Sequence, residues 1–155
     1  MKIIITQNDV DAYNEQYFKE HPKAKKEKIS KPQHPSLNWY MTANNMQVNS
    51  VKQAWKDLVG LILSKYDLID YGIEKCHITY TTFFKENRTH DLDNITPKFI
   101  LDGFVDSGFI LKDDCRHILS LTTIGKYDKE NPRIEFDIEV LERKGENKYE
   151  KDDKN

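Results

Sequence analysis

Cysteine is scarce in this chain of 155 residues: Cys76 and Cys115 stand far apart, and neither has a C-x-x-C partner. That excludes a zinc site built on cysteine pairs. The expectation is two free thiols in a reducing compartment, one or both buried as small hydrophobes. Long hydrophobic runs are missing too. The longest, around Leu58 to Leu63, falls far short of a membrane span. Met1 to Ile5 gives way at once to polar residues, which is not the pattern of a signal peptide. There is no excess of charge of one sign: 24 Lys and Arg face 26 Asp and Glu, a net charge of −2. Nothing in that balance attracts a polyanion globally, so any nucleic-acid binding must rest on local clusters. The expectation is a soluble, cytoplasmic protein with no membrane partner.

What is present suits one domain with a polar surround. Hydrophobic residues make up 37% and charged residues 32%, so part of the chain should lie outside the core. Thr6 to Phe18 reads as a short, weak helix. From Lys19 to Pro35 the lysines Lys19, Lys23, Lys25, Lys26, Lys28 and Lys31 outnumber Glu20 and Glu27, and prolines punctuate the stretch. This reads as a basic, flexible arm, either merely solvated or touching phosphates. Ser36 to Tyr40 reads as a turn entering an extended piece. Val51, Ala54, Trp55, Leu58, Leu61 and Ile62 then step at helical spacing, capped at Asn49 or Ser50 and ending near Tyr66.

Period two takes over from Lys75 to Phe84, a strand, followed by a basic turn, Lys85 to His90. A second helix should start with Thr96 as cap and Pro97 as first residue, and Gly108 should end it in a left-handed conformation. Strands over roughly Arg116 to Ile124 and Arg133 to Leu141 follow, joined as a hairpin by Lys126 to Pro132. Residues 142–155 are nearly all polar and are expected to be disordered. The order implies a single α/β (α+β) domain with a mixed sheet packed against helices, spanning 1–141.

The carboxylates carry the chemistry. Asp91 and Asp93 point the same way if that stretch is extended. Asp113 and Asp114 come one helix later, and Phe109 to Leu111 can bring them back. Three carboxylates in one small volume repel each other unless a cation joins them, and Mg²⁺ prefers such oxygen ligands. A water on that ion can attack a phosphodiester, with Lys98 near to stabilise developing charge. The same residues also suit plain turn formation and a solvated loop, and D-x-D pairs occur in sugar-nucleotide enzymes as well. An EF-hand loop is a poorer match, because Ile95 and Thr96 stand where an oxygen ligand and a glycine belong.

The run from Asp91-Leu92-Asp93-Asn94 through Lys98, Asp102, Gly103 and Gly108 to Asp113-Asp114 resembles the RusA-like Holliday junction resolvases of phages and prophages. The likeness covers roughly Lys19 to Leu141, including Ser36 to Tyr40. It implies Mg²⁺, with Mn²⁺ as substitute, on Asp91, Asp93 and Asp114. It makes these three and Lys98 catalytic. It also implies a homodimer that nicks opposed strands of four-way DNA junctions. Lys98 lies five residues after Asp93, one more than in the family prototype, and Pro97 accounts for the difference. Where the prototype has a run of arginines, this chain has Arg88-Thr89-His90, so Lys85, Arg88, His90 and Arg116 are the DNA-contact candidates. Two other outcomes stay open: a module that binds branched DNA or a replication partner without cutting, and a metal enzyme acting on free nucleotides.

Of the remaining candidates, Trp39 and Tyr40 can stack on an unpaired base or join the core. Trp55 belongs to the core, His77 to a strand, and His117 either to the site or to strand packing. Asp102 either orients Lys98 or forms an ordinary helical ion pair.

Overall fold

The computed structural model describes residues 1–146. It begins with a strand that the sequence reading did not assign. In β1 (Lys2–Thr6), Ile3 and Ile5 are buried while Lys2 faces solvent. Thr6 ends the strand and starts the next element. Its hydroxyl accepts from the Asp9 N–H, and the Asp9 carboxylate accepts from the Thr6 N–H, a reciprocal cap that fixes the start of α1 (Gln7–Glu20).

The following basic segment does not hang free. Ile29 is buried in the core, and its carbonyl accepts from the Asn14 side chain at 2.7 Å. His34 is buried as well. Its Nδ1 bonds the Pro35 carbonyl at 2.8 Å, and its Nε2 accepts the Phe99 N–H at 3.0 Å. An arm carrying one isoleucine and one histidine that the core can use is pinned at those two points, which lysine counting does not reveal.

Ser36 accepts the Trp39 N–H and so caps a short helix, α2 (Leu37–Thr42), where an extended piece was expected. The long helix α3 (Asn45–Lys65) starts before Asn49, because Asn44 and Gln47 form a second reciprocal cap. Its end at Tyr66 matches the sequence reading. Its buried face is Ala54, Trp55, Leu58, Val59, Ile62 and Leu63.

β2 (Ile73–Phe84) is the central long strand, and a 3-10 turn at Leu92–Asn94 leads to α4 (Lys98–Asp106). Helices α3 and α4 meet closely. A Cβ placed on Gly103 would stand 3.0 Å from Val59 Cβ and Cγ1. Gly108 follows α4 at φ +67°, the left-handed conformation expected of it. Phe109 and Ile110 then run back fully buried, and Ile110 bridges Ile73 in parallel.

β3 (Ile118–Tyr127) and β4 (Arg133–Arg143) complete a four-stranded mixed sheet in the order β1-β4-β2-β3. The expected hairpin between the last two strands is absent. β3 runs parallel to β2, and β4 lies antiparallel on β2's other side. The residues between them therefore cross the end of β2, where the Asp128 N–H bonds the Phe84 carbonyl at 2.9 Å. The parallel pairing follows from the preceding β2–α4–β3 crossover, which brings the chain back in the same direction. Glu142 and Arg143 belong to β4 rather than to a tail, and 147–155 lies outside the described residues.

One face of the sheet holds the core: Cys76, Ile78 and Tyr80 of β2, Ile134, Phe136 and Ile138 of β4, and the buried sides of α3 and α4. Cys76 is buried and Cys115 exposed, as two unpaired thiols. Among the described residues, no helix is long and apolar enough to cross a membrane.

Candidate functional site

The acidic motif starts where β2 ends. Phe84 is buried, and the His90 ring stacks on it at 3.6 Å with only 6° between the planes. That stack folds the Lys85–His90 turn back against the strand end and sets the position of Asp91. Asp91 is exposed, and its carbonyl accepts the Asn94 N–H in the 3-10 turn. Asn94 Oδ1 accepts the Asn38 N–H at 2.8 Å, which ties the turn to α2. Leu92 and Ile95 lie over Gly125 of β3, 3.4 and 3.7 Å from where its Cβ would be.

Asp93 is exposed and sits inside this 3-10 turn. The alternation of an extended strand, which would aim it alongside Asp91, does not apply there. Lys98 is exposed at the first residue of α4. Asp102 does not reach back to Lys98; it pairs with Lys52 of α3 at 3.5 Å.

Asp114 lies elsewhere. Its carbonyl accepts the Ile118 N–H at the start of β3, opposite Cys76 of β2. Leu92 sits over Gly125, which pairs with Thr82. From Ile118 to Gly125 is on the order of 20 Å of strand. Asp91 and Asp93 therefore stand together at one end of β3, and Asp114 stands at the other. Among the described residues, no three His, Cys, Asp or Glu side chains form a group that could hold a metal ion. The three proposed ligands do not fit a divalent cation within one subunit.

Asp114 has its own partners. His117 Nδ1 lies 2.6 Å from its carboxylate, and the Arg116 N–H bonds it at 2.9 Å. These bonds, that of His117 first, hold the carboxyl below its ordinary value. Cys115 and Arg116 are exposed beside it. Arg116, expected near the D-x-D pair, belongs to this second end.

The basic candidates divide the same way. Lys85, Arg88 and His90 line a cavity of about 620 Å³, with Lys31 and Gln33 from the pinned segment and Lys129 from the β3–β4 connection. Glu86 and Glu130 also line it, and Glu86 pairs with Arg88 at 3.4 Å. Four cations face two acids, so the cleft carries net positive charge although the chain does not. His90 Nε2 is buried and has no hydrogen-bond partner, and His90 also lines a smaller cavity shared with Asp91 and Asn94. Sequence reading offered Lys31 only as part of a phosphate-touching arm and missed Lys129 as a companion of Lys85 and Arg88. The signal was the crossing of β2 by the β3–β4 connection, which a hairpin assignment hides.

Trp39 and Tyr40 both lie edge-on to Phe99; Trp39 packs on the core, while Tyr40 stays 37% exposed. His77 bonds Ser120 across the strands at 2.7 Å, an edge pairing rather than a ligand geometry.

No protein-family model matches the chain, and no curated protein matches it.

Proposed function

We propose that this protein is a metal-dependent endodeoxyribonuclease that acts on branched DNA such as four-way junctions, with Mg²⁺ as its ion and two copies of the chain as the working unit. The observation that carries this reading is the junction of two features at the end of β2. A cation-lined cleft holds Lys31, Lys85, Arg88 and Lys129, and the exposed Asp91 and Asp93 follow directly from it. Cations of this kind attract phosphates, and the affinity they confer depends on salt through counterion release. Carboxylates beside a phosphate site are unfavourable for binding alone, since they repel the ligand. They make sense where a divalent ion comes with the DNA and supplies a nucleophilic water and charge neutralisation.

On this reading the chain's own residues divide the work. Lys85, Arg88 and His90 grip the backbone approaching the carboxylates, and Arg116 does so at the other end of β3. Asp91 and Asp93 would hold the ion, Asp114 would join them only from a second copy of the chain, and Lys98, at the start of α4, would stabilise charge on the reacting phosphate. A two-fold junction is met by a two-fold dimer with one site per subunit.

Separate Asp91→Asn, Asp93→Asn and Asp114→Asn proteins test the assignment by nicking and by gel shift on one labelled junction. Each should lose nicking while retaining the shift, and Lys98→Ala should slow nicking more than it weakens binding. Full nicking by any of the three aspartate variants removes that residue from the site.

A second reading is favoured by one observation, the separation of Asp114 from Asp91 and Asp93 in a single subunit. It is a module that holds branched DNA without cutting it. A pure protein that shifts a junction but never nicks it, with Mg²⁺ or Mn²⁺, identifies this case.

A further inference from the structure

We propose that the uncharged face formed by α2 and the first turn of α3 contacts DNA bases. Tyr40, Met41 and Met46 pack there against base faces left unstacked at the branch of a DNA junction. This rests on the reading of the chain as a protein of branched DNA, and it holds whether or not the chain cuts.

Charge is absent from this stretch. Residues 32–51 include no Asp, Glu, Lys or Arg, in a chain where such residues make up 32%. The one histidine among them, His34, is buried with both ring nitrogens bonded. Helix α2 fully buries none of its residues. Trp39 packs on the core, whereas Leu37, Tyr40 and Met41, at the i, i+3 and i+4 spacing of one helix face, are 39%, 37% and 73% exposed. Met46 follows in the first turn of α3 at 78%, with Asn45 and Asn49 exposed on the same helix. Single apolar side chains on a surface are ordinary, but several over so short an uncharged stretch mark an interaction surface.

The occupant follows from the neighbours. The Asn38 N–H bonds Asn94 Oδ1 at 2.8 Å, which ties α2 to the turn that carries Asp93. Leu37 and Tyr40 share a small cavity of about 50 Å³ with Thr96 and Lys98. DNA whose backbone lies on Asp93 and Lys98 therefore meets α2 next. Phosphates find no cation on this face, so it offers little to a backbone. Bases are uncharged and flat. Apolar side chains, methionine among them, wedge between base steps, and aromatic rings stack on bases. Asn45 and Asn49 each carry a donor and an acceptor, as base edges do. In a continuous duplex the base faces are covered by their neighbours. At a branch the stack is interrupted and they open. A protein partner seated on this face would instead crowd Asp93 and Lys98 and hinder the DNA.

Met41→Ser/Met46→Ser in the full chain tests this without altering any charge. Both positions are exposed, so circular dichroism should show the wild-type fold. The variant should bind a four-way junction about tenfold more weakly, while its affinity for an unbranched duplex of the same sequence stays within about twofold of wild type. The salt slope of junction binding should not change, because no phosphate contact is lost. Met41→Leu/Met46→Leu and Tyr40→Phe should each keep wild-type junction affinity. A 2-aminopurine placed at the branch should change its emission when wild type binds, and should not when the junction is saturated with the serine variant.

Unchanged junction affinity in the serine variant overturns the proposal, as does an equal loss on duplex. So does a serine variant that changes oligomeric state by light scattering with junction affinity intact, which assigns the face to a protein contact. If the wild type cuts junctions and the serine variant binds and cuts equally well, the nuclease reading stands alone. If the wild type binds junctions with this methionine dependence but never cuts, the base-contacting face stands and the nuclease reading falls. A wild type that binds no junction ends both.

Discussion

At the scale of single residues, His34 shows most about how this chain is built. Its ring lies between Trp55 and Phe99, donates to one carbonyl and accepts from the first turn of α4. Both ring nitrogens are used in the neutral form. Burial lowers its pKa from 6.5 to about 3, against the smaller opposite effect of its bond to the Pro35 carbonyl, and Lys98 adds to the lowering. The unfolded chain therefore takes up a proton at this histidine that the folded chain refuses. This contribution to stability is whole above pH 6.5 and is lost progressively as pH falls toward 3. His34→Gln keeps a donor and an acceptor but does not titrate. Melting curves should show the wild-type Tm falling more than the variant's between pH 7 and pH 4. Parallel falls would mean that His34 is not held neutral in the fold.

None of this was legible in the sequence, where His34 sits among lysines and prolines. The acidic motif was legible as a set of residues but not as a place. Asp91, Asp93 and Asp114 stand out by type and order, yet their distances depend on β3 running parallel to β2, a long-range property. Asp102 shows the same limit: helical spacing offered Lys98 as its partner, and the packing of α3 on α4 supplied Lys52 instead.

At the scale of elements, caps and crossings decide the outcome. The three early helix starts rest on Thr6, Ser36 and Asn44, each accepting a backbone N–H. Apolar periodicity marked the body of α3 and left its first turn unseen, because that turn buries only part of Val48. The α3–α4 contact depends on Gly103, where a methyl would push on Val59. Gly103→Ala should destabilise by about 1–3 kcal/mol through overpacking, read by urea denaturation. A change under about 0.5 kcal/mol, the range of ordinary surface substitutions, would mean that the helices can part without cost. The crossing of β2's end by residues 128–132 brings Lys129 to the cleft with Lys31. Lys31→Glu/Lys129→Glu should therefore weaken junction binding and make it less sensitive to salt, since each phosphate contact adds about one unit to the slope. An unchanged salt slope would move the DNA off this cleft.

At the scale of the whole molecule, composition and function meet. A chain with a net charge of −2 has no general affinity for nucleic acid. It concentrates cations where β2, the pinned segment and the β3–β4 connection converge. Strand alternation and the helix stripes told the sheet and the α/β layering in advance, because those patterns are local. The strand order β1-β4-β2-β3 was not, because an unnoticed first strand and a misread hairpin both concern which strands pair. The central claim remains that this molecule cuts branched DNA. The most direct test maps products on a four-way junction labelled in turn on each strand, with Mg²⁺, with chelator, and with the Asp93→Asn protein. Paired nicks on two opposed strands are expected with Mg²⁺ and the wild-type protein alone. A junction that is bound but left whole under every condition would contradict the claim.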